Sequence, residues 1–252
     1  MNPLVIIGLR IAAALAVAIF YLWLIYRVYP NKDAKCDNVP PCPLTVGDLL
    51  LMGALLMVGF ALGSLKLTAL AVILVAIFTF HQRGASAAIY WQFQWRDSFS
   101  YIKNGFKASC FTIPPVIIIV GVLYQVFLHF GVEVLQPVVE QLLQLKSWKQ
   151  IVAFIFFAVV VAPLWEEIFF RGVLYPFLKK YMHFGWAMFL SSLAWAAIHW
   201  HLPVMLPFTF LGCVLCLLYE KTGKLGNVIV AHAIFNLFNV ALLLIEKYAV
   251  AQ

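Results

Sequence analysis

Long apolar runs recur along this chain, and they leave few folds open to it. They lie near residues 3–27, 48–63, 67–80, 109–130, 150–175, 184–200, 204–219 and 226–246. A helix that crosses a bilayer needs about 17–25 apolar residues, and in hydrocarbon its backbone groups must be satisfied within the segment. The chain is 65% hydrophobic and 11% charged, whereas a soluble domain carries about a quarter charged residues. A soluble globule would lack the charge to cover its surface. The fold class is therefore all-α, a polytopic membrane helix bundle of about eight transmembrane helices.

The region 48–80 is too long for one comfortable span, and Gly63-Ser64-Leu65-Lys66 interrupts it. Basic residues choose between one span and a hairpin, because Lys and Arg collect in cytoplasmic loops. With a hairpin, one side holds Arg27, Lys32, Lys35, Arg83, Arg96, Lys103, Lys107, Lys179, Lys180, Lys221 and Lys224, eleven in all, and the other holds only Lys66, Lys146, Lys149 and Lys247. A single span would leave eight against six. The hairpin reading is preferred, and it puts both termini outside. The formal charge of +7 is thus a matter of orientation. No basic-aromatic patch points to nucleic acid.

The first run is long for a signal-peptide core and is read as a retained helix. The segment Tyr90–Tyr101 mixes aromatic and polar residues and suits either an interfacial helix or a solvated loop with aromatic anchors. Cys36 and Cys42 share a Pro-rich loop expected on the cytosolic side, so two free thiols are preferred to a disulfide. Cys213 and Cys216 read as packing in an apolar helix.

Three charges break this pattern. Glu166, Glu167 and Arg171 lie inside an apolar run, where each costs at least ~2.5–3.5 kcal/mol to insert. On a helix Glu167 and Arg171 are four apart and can neutralise each other, while Glu166 projects about 100° away without a partner on its own helix. A carboxylate so placed suits acid–base work. An ion-paired polar core joining helices is the plainer alternative. Two later helices supply companions: Trp195 and His199 share one face, and so do His232 and Asn236. His201 competes with His199 but falls on a different face. His199 lies deeper than Glu166 and His232 when counted from the cytoplasmic ends. The uncharged turn Trp200–Pro203 is therefore expected to stop short inside the bilayer, bringing His199 toward Glu166.

These motifs resemble the intramembrane protease family of the CAAX prenyl endopeptidases and their bacterial relatives, the CPBP or Abi group. Its pattern is E-E-x-x-x-R, F-x-x-x-H and H-x-x-x-N. Here they stand in order as Glu166-Glu167…Arg171, Trp195…His199 and His232…Asn236, with Trp in place of Phe. The resemblance covers roughly 150–246, a catalytic helix bundle, after an N-terminal part (1–149) of transmembrane helices and an interfacial loop. It implies a membrane endopeptidase in which Glu166 and His199 activate water and His232 and Asn236 stabilise the oxyanion. Glu167 and Arg171 would then position Glu166, with Trp195 in a supporting role.

The implied substrate is a membrane-anchored protein or peptide, prenylated or a peptide precursor, and the implied location is the cell membrane, the inner membrane in a bacterium. Glu166, His199 and His232 would be the ligands of a divalent metal such as zinc. No H-E-x-x-H pair fixes two ligands on one helix, so a metal-free mechanism is preferred. Two other functions stay open. One is a non-catalytic membrane scaffold or bacteriocin-immunity protein; the other is a proton-relaying transporter, disfavoured because no inverted repeat is visible.

Overall fold

A computed structural model describes residues 3–28, 38–39, 42–63, 65–84 and 86–250. The described residues form nine helices: α1 (Pro3–Val28), α2 (Val46–Ala61), α3 (Leu65–Gln82), α4 (Ser98–His129), α5 (Pro137–Gln144), α6 (Trp148–Leu178), α7 (Phe184–Ala197), α8 (Met205–Thr222) and α9 (Leu225–Val250), with short helical turns between some of them. Four helical stretches, at 87–129, 148–178, 202–222 and 225–249, are long and apolar enough to cross a membrane, and four shorter apolar helices accompany them. The chain is a polytopic helical membrane protein.

The region 48–80 is two helices. Their hairpin is closed where α2 begins: Thr45 and Asp48 cap it reciprocally, the Thr45 N–H to Asp48 Oδ2 at 2.8 Å and the Asp48 N–H to Thr45 Oγ1 at 3.4 Å. Arg83, just past the end of α3, returns to the same carboxylate at 2.7 Å. Gly63, at φ +63°, makes the bend.

The stretch 90–101 is neither a single interfacial helix nor a plain loop. It holds the end of a short turn (Ala87–Tyr90), a 3₁₀ turn (Trp95–Asp97) and the first residues of α4. That helix starts eleven residues before the apolar run, because Phe99, Ile102 and Phe106 form an exposed apolar stripe beside polar neighbours. The short helix α5 was not foreseen from the sequence; Lys247 on α9 holds its last turn by donating to the Leu142 carbonyl at 2.9 Å.

The core is centred on α8, of whose span 78% is buried, against 28–33% for the other three long stretches. Gly223, at φ +66°, ends it. Helix α7 packs on α8, and α4 packs on α9. The second crossing is close enough that a Cβ on Gly105 would lie 2.9 Å from the Ala231 backbone nitrogen. With 14 residues, α7 falls short of the ~17–25 needed for a span. The chain turns after it through Trp200 at φ +49°.

Helix α6 is not regular. It widens into two π-turns, Phe157–Val161 and Phe170–Leu174, on either side of the α-helical segment Ala162–Phe169. Each π-turn ends two residues before a proline, Pro163 and Pro176. A proline has no N–H to give, so carbonyls one turn back lose a helical donor. One of these is Gly172, whose carbonyl accepts the Trp91 indole N–H at 3.1 Å instead. The possible Cys36–Cys42 pairing lies outside the described residues, which omit Cys36; Cys42, Cys213 and Cys216 are buried free thiols.

Candidate active site

Three helices meet at one buried polar centre. Helix α6 brings Glu166, Glu167 and Arg171, all buried. The end of α7 brings Trp195 and His199, and α9 brings His232 and Asn236. Helix α8 closes the back with Phe208 and with Gly212, where a Cβ would lie 3.0 Å from Arg171 Nη2.

Glu167 and Arg171 form the expected pair, Arg171 Nη1 donating to Glu167 Oε1 at 2.9 Å with both side chains fully buried. The same carboxylate oxygen also takes His232 Nδ1 at 2.7 Å. A carboxylate already paired with a guanidinium accepts, so Nδ1 carries the proton and Nε2 turns to the other side. There it lies 4.0 Å from Glu166 Oε2. The gap is too wide for a direct hydrogen bond and suits one bridging oxygen.

Glu166 has a partner that helical spacing did not foresee. The Trp195 indole N–H donates to its Oε2 at 2.6 Å, which the Phe of the family pattern could not do. Trp195 is the hub of the centre. Its ring lies 5.3 Å from the His199 ring, 5.2 Å from His232 and 5.5 Å from Phe208, and the Arg171 guanidinium sits over it at 4.7 Å. Glu166, Trp195, Arg171, Glu167 and His232 thus close into a ring of contacts. His199 hangs on that ring, within electrostatic range of both Glu166 and His232. Its Nδ1 is 3.0 Å from the Trp195 carbonyl. A carbonyl only accepts, so Nδ1 donates and Nε2 keeps its lone pair.

The structure therefore gathers Glu166, His199 and His232 around one indole. His201 makes none of these contacts, and its ring nitrogens are buried without a hydrogen-bond partner among the described residues. Asn236 does not point its described hydrogen bond at this centre: its Nδ2 donates to the Ala158 carbonyl at 2.8 Å. Among the described residues, no three His, Cys, Asp or Glu side chains converge as a metal-ligand set. His232 Nδ1 and His199 Nδ1 are given to Glu167 and to a backbone carbonyl, which leaves the Nε2 atom of each ring free.

A second buried polar group was missed. Glu220 Oε1 accepts from Lys179 at 2.5 Å and from the Tyr175 hydroxyl at 2.6 Å. Lys179 also donates to the Val39 carbonyl at 3.0 Å, and Asn38 Nδ2 to the Glu220 carbonyl at 2.8 Å. The network pins residues 38–39 to the ends of α6 and α8. Its members sit near probable segment ends in the sequence, where charge is unremarkable. The one available signal was an acid and a lysine in neighbouring helix ends.

A glutamate–histidine centre shared by three helices defines the class: a polytopic membrane protein with a buried polar centre inside its helix bundle. Residues 148–238, which hold every residue of that site, match the family model described as type II CAAX prenyl endopeptidase Rce1-like. The chain is also similar to a Bacillus subtilis (strain 168) protein described as "Putative membrane peptidase YdiL", at 32% identity over 79 residues. That stretch covers 31% of this chain and 32% of the relative, so the chain matches about a third of the relative's length. No solved structure matches the chain.

Proposed function

We propose that this chain is an intramembrane endopeptidase that hydrolyses peptide bonds of membrane-anchored substrates with water activated by Glu166 and His199. The observation that carries the reading is the 4.0 Å gap between Glu166 Oε2 and His232 Nε2, buried and walled by Trp195. A water held there, against the Glu166 carboxylate and with the His199 ring 5.3 Å from the same indole, can give up a proton to the Glu166–His199 pair as its oxygen attacks the peptide carbonyl. The C–O bond forms and negative charge collects on the carbonyl oxygen. His232, when protonated at Nε2, is the donor aimed at that charge. The proton then passes to the leaving nitrogen as the C–N bond breaks. Glu167 and Arg171 hold His232 and the helix in place and do not touch the reacting atoms.

The family match supports the peptide class, and the buried centre supports a substrate that reaches the site from the bilayer. A prenylated tail or a peptide precursor fits that requirement, and the bacterial inner membrane is the location the reading expects. Glu166→Gln, which keeps size and can still accept the Trp195 N–H, is the test. Loss of both cleavage and cellular phenotype at normal abundance supports the peptidase. A phenotype retained without cleavage supports the scaffold instead.

A further inference from the structure

Why the second histidine motif needs an asparagine one turn on can be read from the backbone of α6. In the π-turn Phe157–Val161 the Ala162 N–H is given to the Phe157 carbonyl, five residues back. The Ala158 carbonyl therefore loses its usual donor, the N–H four residues on. Its alternative in the wider register is residue 163, and Pro163 has no N–H to give. Ala158 is thus left with a carbonyl that its own helix cannot satisfy, in a part of the molecule where water is scarce. Such a group costs free energy until something donates to it.

We infer that Asn236 is the positioning residue that fills this need, gripping α6 through the Ala158 carbonyl. Its Nδ2 lies 2.8 Å from that carbonyl. One turn earlier on the same face of α9, His232 grips Glu167 at 2.7 Å. Two grips on α6, at Ala158 and at Glu167, fix both the height and the rotation of the segment between them. That segment carries Glu166, so the 4.0 Å gap to His232 is set by both ends of the H-x-x-x-N motif. A π-turn at a functional site commonly re-aims a side chain in this way. Here the proline that blocks its closure also creates the acceptor that α9 uses.

The consequence for turnover rests on the proposed peptidase reading; the hydrogen bond itself does not. Labelling with carbonyl-¹³C alanine and ¹⁵N valine isolates four peptide groups, Ala16–Val17, Ala71–Val72, Ala158–Val159 and Ala249–Val250. In the substrate-free, full-length protein in micelles, Asn236→Ala should move the Ala158 carbonyl resonance upfield and leave the other three in place. Asn236→Leu, which fills the volume of the lost amide, should do the same if the alanine variant does not fold. In both, kcat should fall at least tenfold with KM unchanged, because Glu166 is mis-set while substrate contacts remain. An Ala158 resonance that stays put in a folded variant overturns the inference, whatever happens to turnover. If the wild-type protein cleaves nothing, the peptidase reading fails and the resonances still decide the grip.

Discussion

Removing Arg171 should damage the molecule far more than removing Arg171 and the charge on Glu167 together. Both side chains are fully buried and joined at 2.9 Å. Breaking such a pair by deleting one partner costs about 3–5 kcal/mol, since a buried charge is left uncompensated. The guanidinium also sits 4.7 Å over the Trp195 ring, a desolvated cation–π contact of about 2 kcal/mol. Arg171→Ala should therefore destabilise by on the order of 5 kcal/mol. His232 Nδ1 still donates to Glu167 in that variant, which lessens the loss but cannot cancel it. The double variant Glu167→Gln with Arg171→Met keeps volume, keeps an acceptor for His232 and removes both charges. It should stay within about 2 kcal/mol of the wild type. Equilibrium unfolding in mixed micelles, titrated with a denaturing detergent, compares the three proteins. A single variant no less stable than the double would refute the claim that Glu167 and Arg171 are held inside by each other.

Other outcomes follow from the same geometry. Gly105→Ala drives a methyl to 2.9 Å from the Ala231 backbone at the α4–α9 crossing, whereas Gly121→Ala on the same helix meets nothing within 4 Å; unfolding should show a loss of about 1–3 kcal/mol for the first and none for the second. Burial pushes the Cys42 thiol up to about 11 from its ordinary 9.0. The unfolded chain then loses this proton first, so the stabilising contribution is full below pH about 9 and is lost as pH rises through about 11. Peptide mass spectrometry should accordingly find slow maleimide modification of Cys42 at pH 9 in the folded protein. Cleavage by the purified protein should survive chelation, with metal analysis finding no stoichiometric ion; a metal needed for turnover would contradict the metal-free mechanism.

Much of the bundle was legible because hydropathy and loop charge are global signals. The runs near 3–27, 48–63 and 67–80 mark α1 to α3 to within about two residues at each end, and the eleven-to-four basic bias separates the hairpin from a single span. The start of α4 was hidden because Ser98–Lys107 is amphipathic and reads as a loop by apolarity alone. At the site, helical spacing correctly paired Glu167 with Arg171 and placed Trp195 beside His199. It could not say which atom of another helix each would meet. The Trp195–Glu166 bond and the Asn236–Ala158 bond are tertiary contacts between helices 29 and 78 residues apart in sequence, and no local period encodes them. The π-turns leave one faint mark, a proline two residues beyond each, which reads as an ordinary kink until the wider register is seen.

Activation of water by Glu166 at the three-helix site is the step on which the proposed peptidase depends. It is tested most directly by incubating the reconstituted protein with a lipid-anchored peptide in ¹⁸O-water and weighing the products. Wild-type protein should leave one ¹⁸O atom in the new C-terminal carboxylate. Glu166→Gln, folded to the same stability, should cleave ~10²–10⁴-fold more slowly. Cleavage by Glu166→Gln at the wild-type rate would contradict a role for Glu166 in activating water.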